Sequence, residues 1–363
     1  MNELDTKLAR VQALLSEQQL DALLLQRVSS FAWATCGAAS YVNTATTTGE
    51  ASLLFTSSER HVITNNIETT RLHTETELAE EGWQFQVTPW YETPDVVGQL
   101  AGGLRLGADG PFPGAVDLSS EVARLRANLT PEEGERFREL GRQCAEAIDR
   151  AARAVEPGQS EYQIAGLLAR EAQQRGMQAI VNLVATDHRV LYFRHPLPTG
   201  KQLDRYAMLV LCGRRWGLVC SVTRLVHFGR LPDELRRKAE AVAQVDAAFL
   251  DATRPGQTLG QAFQQAQAAY AETGFPDEWH WHHQGGPAGY EPREYIATPG
   301  SEDLIQASQA YAWNPSIAGT KSEDTVLVGD GGLEVLTAIE GWPVLHVTAG
   351  GIDYARPAVL EVL

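Results

Sequence analysis

The sequence predicts an α+β protein, with a small N-terminal α/β domain followed by a larger domain of two related αβ halves folded about a pseudo-twofold axis. Two observations predict the duplication. The quartet Pro157-Gly158-Gln159-Ser160 returns as Pro255-Gly256-Gln257-Thr258, each closing one helical stretch, opening another, and followed nineteen residues after its Pro by a glycine (Gly176, Gly274). Strand-like runs are interleaved with the two helix pairs. A third observation is length: 363 residues suffice for two domains and a large core.

Taken in order, residues 3–19 read as an amphipathic helix with Leu4, Leu8, Val11, Leu14 and Leu15 on one face. Ala22 to Leu25 reads as a buried strand, and further strand-like runs follow at 51–55 and 60–64. The first domain is expected over residues 1–128 and the second over 129–363. Thr130 and Pro131, followed by Glu132 and Glu133, form a helix start, because proline fits the first turn and carboxylates favour the positive end of the helix. Phe137, Leu140, Cys144, Ile148 and Ala152 then recur at helical spacing. Ser160-Glu161-Tyr162-Gln163 is a capping-box pattern. Apolar runs 208–212 and 218–222 flank Gly213-Arg214-Arg215-Trp216-Gly217 and predict a β-hairpin. Pro232-Asp233-Glu234 starts the second long helix, Thr258 starts the second short one, and strands return at 325–328, 333–337 and 344–347.

A net charge of −16 with no basic stripe argues against nucleic acid and anionic membranes as partners. No run approaches the apolar length that spans a bilayer, and Met1-Asn2-Glu3-Leu4-Asp5 lacks the basic start and apolar core of a signal peptide. Cys36, Cys144, Cys212 and Cys220 are too scattered for a disulfide framework, so a reducing cytoplasm is expected.

Four motifs in order resemble the creatinase / Xaa-Pro peptidase (M24, pita-bread) superfamily, over nearly the whole chain. Phe31-Ala32-Trp33-Ala34-Thr35-Cys36-Gly37 resembles its N-terminal strand–turn signature. Cys212-Gly213 through Cys220-Ser221-Val222-Thr223-Arg224 resembles its two-aspartate hairpin. His282-His283-Gln284-Gly285-Gly286-Pro287-Ala288-Gly289-Tyr290 resembles its histidine motif, and Asn314-Pro315 with Lys321-Ser322-Glu323-Asp324 its two-glutamate ending. The resemblance implies a creatinase-like first domain, a pita-bread second domain and a homodimer. Family peptidases hold two divalent metals with Asp, Asp, His, Glu and Glu. Those places here hold Cys212, Ser221, Gly286, Asn314 and Glu323, and only Glu323 matches. A hydroxyl, a glycine and a carboxamide do not replace anionic and imidazole donors, so no dinuclear metal site and no cofactor are expected.

The remaining candidates each have a plainer account. His195 falls where creatinase, which works without metal, carries its acid/base; it is otherwise a surface histidine on a proline-rich loop. Arg293-Glu294 replaces a family His-Glu pair; Arg293 cannot be a base, but it clamps a carboxylate or pairs with Glu294 or Glu291. Glu323 is a substrate acceptor or the partner of Lys321 or Arg224. Cys212 is a nucleophile only beside a cation such as His195, and otherwise a small buried apolar side chain. In Glu278-Trp279-His280-Trp281-His282-His283, a strand places His280 and His282 on one face, a weak metal signal, while Trp279 and Trp281 wall a pocket or pack in the core. His195 and Glu323 are thus the catalytic candidates, with Arg293, Glu294, Asn314, Cys212, Ser221 and Thr223 around a small molecule or short peptide.

Two functions follow in parallel. One is a metal-independent hydrolase of a small C–N bonded substrate, though the lack of Glu near Thr223 and at Asn314 argues against creatine itself. The other is a non-catalytic binding module. A Xaa-Pro peptidase with an atypical metal site is the third reading, and the ligand places argue against it.

Overall fold

The computed structural model describes residues 2–329 and 331–363. The chain forms two compact units, Met1–Glu132 with Trp216–Leu218, and Glu133–Arg215 with Val219–Leu363.

The first unit is organised by a six-stranded sheet in the order Gln84–Thr88, Arg60–Asn65, Thr48–Phe55, Ala22–Arg27, Leu106–Ala108, Val116–Asp117. Ala22 to Leu25 are all buried, as a central strand requires. Helix Glu3–Glu17 is capped by the Asn2 side chain, which accepts from the Asp5 amide at 2.8 Å, and buries Leu4, Val11, Leu14 and Leu15. The expected strand–turn at Phe31–Gly37 is corrected: Val28–Ala34 is a helix, ended by Cys36 and Gly37 at φ 55° and 120°. All seven helical residues are buried, so the segment has no polar face and its sequence carries no period.

The second unit repeats one motif twice. Ser160 and Thr258 each make a complete capping box, with Gln163 and Gln261, at the starts of helices Glu161–Gln173 and Leu259–Glu272. The turns before them match bond for bond. The Gly158 and Gly256 amides, at φ 88° and 89°, donate to the Leu203 and Ile305 carbonyls at 2.8 and 3.0 Å, and the Glu161 and Leu259 amides donate to Lys201 and Asp303. Each short helix accompanies a longer one, Pro131–Arg153 or Asp233–Ala252. One four-stranded sheet runs Leu360–Val362, Leu218–Phe228, Tyr206–Arg215, Gln178–Thr186; another runs Gly285–Ala288, Ala310–Trp313, Asp324–Gly329, Gly332–Val335.

Aromatic packing fixes the second half. Phe249 stacks on Trp313 with ring centroids 4.4 Å apart, beside buried Phe263, Tyr270 and Tyr311. A buried ion network runs beside it. Arg356 Nη2 lies 2.7 Å from both Asp246 and Asp324, and Arg224 lies 2.8 Å from Asp324. Ser322 donates to Asp246 as well. The residues on either side of Glu323 are therefore pinned, which holds Glu323 in place. Among the described residues no helix is long and apolar enough to cross a membrane.

Candidate functional site

A cavity of about 440 Å³ in the second unit is walled by Val181, Leu183, Val210 and Ile296, with His195, Cys212, His283, Arg293, Asn314, Lys321 and Glu323 as its polar lining. Strands supply Cys212, from Tyr206–Arg215, and Lys321, from the short strand Thr320–Lys321, while Glu323 holds the position just before Asp324–Gly329. His195 follows the short helix His188–Tyr192.

Glu323 is buried and bound on both oxygens. Oε1 accepts from Arg293 at 2.9 Å, and Oε2 accepts from Lys321 at 2.8 Å and from the Thr223 hydroxyl at 2.5 Å. Burial alone disfavours its charge, but the Lys321 and Arg293 cations with the hydrogen bonds outweigh that and hold its pKa well below the carboxylate range. Arg224 pairs with Asp324 instead. Arg293 thus bonds neither Glu294 nor Glu291 in an ion pair; it reaches Glu323, and its Nη1 donates to Ser221 Oγ at 3.0 Å.

Ser221 also shares a hydrogen bond with the Cys212 thiol at 3.3 Å. Burial pushes the Cys212 pKa up to about 11, so the group is a neutral thiol at pH 7. Ser221 and Thr223 sit behind the lining, holding Arg293 and Glu323. Glu294 is turned elsewhere, accepting from the Tyr290 amide at 2.7 Å. Two side-chain atoms of lining residues are buried without a hydrogen-bond partner: Arg293 Nε, a donor, and Asn314 Oδ1, an acceptor. Native interiors leave few such atoms unpaired.

The histidines depart from expectation. Glu278–Trp281 is a 3₁₀ helix, not a strand, so His280 and His282 do not share a strand face. Pro276 before it, and the demand that Trp279 reach Phe263 in the core, favour a tight turn. Trp279 packs there, Trp281 is exposed, and neither lines the cavity. His282 is buried and its Nε2 lies 3.1 Å from His195 Nε2, while its Nδ1 lies 3.2 Å from Ser316 Oγ. Burial, then the Lys321 charge, takes the pKa of His282 to about 2; His195 and His283 are exposed, and partial desolvation by the surrounding protein, followed by Lys321 for His195 and by Arg293 for His283, lowers the first and takes the second to about 4. His282, His283 and the Lys321 cation are the members that sequence reasoning left outside the site. The adjacent His282-His283 pair in the histidine motif was the available signal.

Gly286, which the resemblance sets at the family's histidine place, has no room for a side chain. A Cβ there would press into the Tyr295 carbonyl oxygen and the Ala297 amide, in backbone tied to Gly285 by the Ala297 amide at 2.9 Å. Gly286→Ala is expected to cost about 1–3 kcal/mol in a urea titration, and Gly286→His to fold worse still rather than to gain a ligand.

Residues 135–330 match the model of metallopeptidase family M24, more than half of the chain. The chain belongs to that family. An uncharacterized peptidase of Staphylococcus haemolyticus is 25% identical over 235 residues, 61% of this M24 chain and 65% of the relative, just under two thirds of its length. Among solved structures, the Xaa-Pro dipeptidase from Bacillus anthracis superposes with TM-score 0.79 at 17% identity, covering 99% of this chain and 100% of that one. The N-terminal domain of the FACT complex subunit SPT16 from chickpea (Cicer arietinum) gives TM-score 0.72 at 12% identity, covering 94% and 97%. These likenesses establish the fold: a pita-bread domain following an N-terminal domain. A family of metallopeptidases implies metal ions. The places that the resemblance sets against the family's metal donors hold a neutral thiol, a hydroxyl, a carboxamide and one carboxylate already neutralised by two side-chain cations, and these groups do not fit a pair of hard dications.

Proposed function

We propose that this M24 chain is a hydrolase of a small C–N bonded substrate that works without the family's pair of metal ions. The observation that carries the reading is that His195 and Glu323 line one cavity large enough for a small molecule or short peptide. In the proposed reaction His195, neutral at pH 7, takes a proton from water as the water oxygen bonds to the carbon. It returns that proton to the nitrogen as the C–N bond breaks. Lys321 keeps ammonium protons beyond the one given to Glu323, and these stabilise charge developing on the substrate oxygen. Arg293 and Asn314 line the same cavity and are the polar side chains offered to an amide or guanidino group. Glu323 keeps the two cations in place.

One observation favours a second reading, a non-catalytic module that binds a peptide, small ligand or protein partner: both oxygens of Glu323 are already committed. Proline-specific cleavage, named for the Bacillus anthracis protein, is the reading the donor set opposes. A homodimer in the cytoplasm is the proposed setting.

A thermal-shift screen of small amides, guanidino compounds and prolyl dipeptides, with and without Mg²⁺ or Mn²⁺, tests the reading. One organic class is expected to raise Tm with no requirement for either ion, followed by release of product amine. Turnover of a prolyl dipeptide that demands Mn²⁺ would sink it.

A further inference from the structure

We infer that His195, His282 and His283 form a capture site for one divalent transition-metal ion of the zinc, nickel or cobalt class, and that an ion held there silences the reaction. The ligand nitrogens of the three rings lie within 4.8 Å of one another. Two of them, His195 Nε2 and His282 Nε2, are 3.1 Å apart. Two nitrogens on one tetrahedral ion, each about 2.0–2.1 Å from it, stand about 3.3 Å apart. The closest pair therefore already has the spacing an ion needs; binding tilts the two rings so that both lone pairs meet the ion, the shared proton moves to the other nitrogen of its ring, and the exposed His283 closes the remaining gap by rotation of its side chain.

The shell behind the rings is already built. Ser316 Oγ meets Nδ1 of His282, which turns Nε2 toward His195. The Gln284 side chain donates to the His282 carbonyl at 2.6 Å, and Tyr270 donates to Gln284 at 2.9 Å, so the backbone under the ring is fixed. Three imidazoles without a carboxylate select borderline ions over Mg²⁺ or Mn²⁺. The site uses none of the five places that carry metal in the family. Lys321 and Arg293 oppose a dication and Glu323 offsets one of them, so binding is weaker than in a closed structural zinc site. The silencing half rests on the proposed role of His195 as the base: coordination at Nε2 leaves the ring proton on Nδ1, so no lone pair remains to accept another.

The test is calorimetric titration of ZnCl₂ and NiCl₂ into chelator-treated full-length protein, with the visible absorption of added Co²⁺ reporting nitrogen ligation. One ion per chain is expected, with affinity at least tenfold weaker in His283→Gln, whose exposed side chain leaves the fold intact, and in His282→Gln. Cys212→Ala should bind as the wild type does. No saturable binding, two ions per chain, or affinity unchanged in His283→Gln overturns the capture site and leaves the role of His195 untouched. Binding that fails to slow turnover overturns the silencing and the assignment of His195 as base together.

Discussion

Replacing Glu323 with glutamine is expected to destabilise the fold by about 3–5 kcal/mol at pH 7, because it strands two buried cations that were paired. Lys321 and Arg293 side chains are 3% and 7% exposed, so water does not solvate them when their shared partner is lost. Urea denaturation at constant m-value reads the loss. Glu323→Gln combined with Lys321→Met should recover part of it, since the second change removes one of the stranded charges. The pH dependence has a defined sign. The folded pKa of Glu323 lies below its unfolded value of about 4.3. Its contribution is full above that value and declines as pH falls toward the folded pKa. Wild type and Glu323→Gln should therefore differ most near neutrality and converge in acid. A gap that widens below about pH 4 would contradict the arrangement.

Replacing His195 with alanine is expected to lower turnover by about 10²–10⁴-fold while changing ligand affinity little. The imidazole is held neutral by the protein around it and by Lys321, so the proton acceptor is ready at physiological pH. Because that pKa is lowered, wild-type turnover should be flat through neutrality and fall only as pH drops below the usual histidine range. Alanine at His195 should remove that acid limb along with the rate. Turnover within a few-fold of wild type, measured on whichever compound class the thermal screen selects, would remove His195 from the chemistry.

How much of this was legible in the sequence depended on whether the deciding interaction was local. Ser160-Glu161-Tyr162-Gln163 and Thr258-Leu259-Gly260-Gln261 carry their caps within four residues, and both helices begin where those residues say. The paired Pro-Gly turns announced the duplication, and the bonds from Gly158 and Gly256 repeat it. Val28–Ala34 was misread because a helix buried all round shows no periodicity. The parallel pairing of Leu360–Val362 with Val226–Phe228 was invisible for a different reason: a short terminal strand is defined by its partner across the fold.

The site divides the same way. Residue identities alone led to the expectation that Ser221, Gly286 and Asn314 do not replace anionic or imidazole donors and that Cys212 does not suit a pair of hard ions. They did not show that Arg293 crosses to Glu323, thirty residues on, instead of pairing with its neighbours Glu291 and Glu294. That choice is made by tertiary structure, as is the meeting of His195 with His282, eighty-seven residues away. Gly286 is a third case. The resemblance sets a histidine at its place, while the structure shows Tyr295 backbone filling the space a side chain would need.

Side-chain cations, not metal ions, balance Glu323. A crystal structure of the protein grown with millimolar Mn²⁺, with anomalous data collected, tests it most directly. No manganese is expected between Cys212, Ser221, Asn314 and Glu323, with Lys321 and Arg293 still bonded to the carboxylate. Two manganese peaks about 3.5–4 Å apart at those residues, with Lys321 displaced, would contradict it.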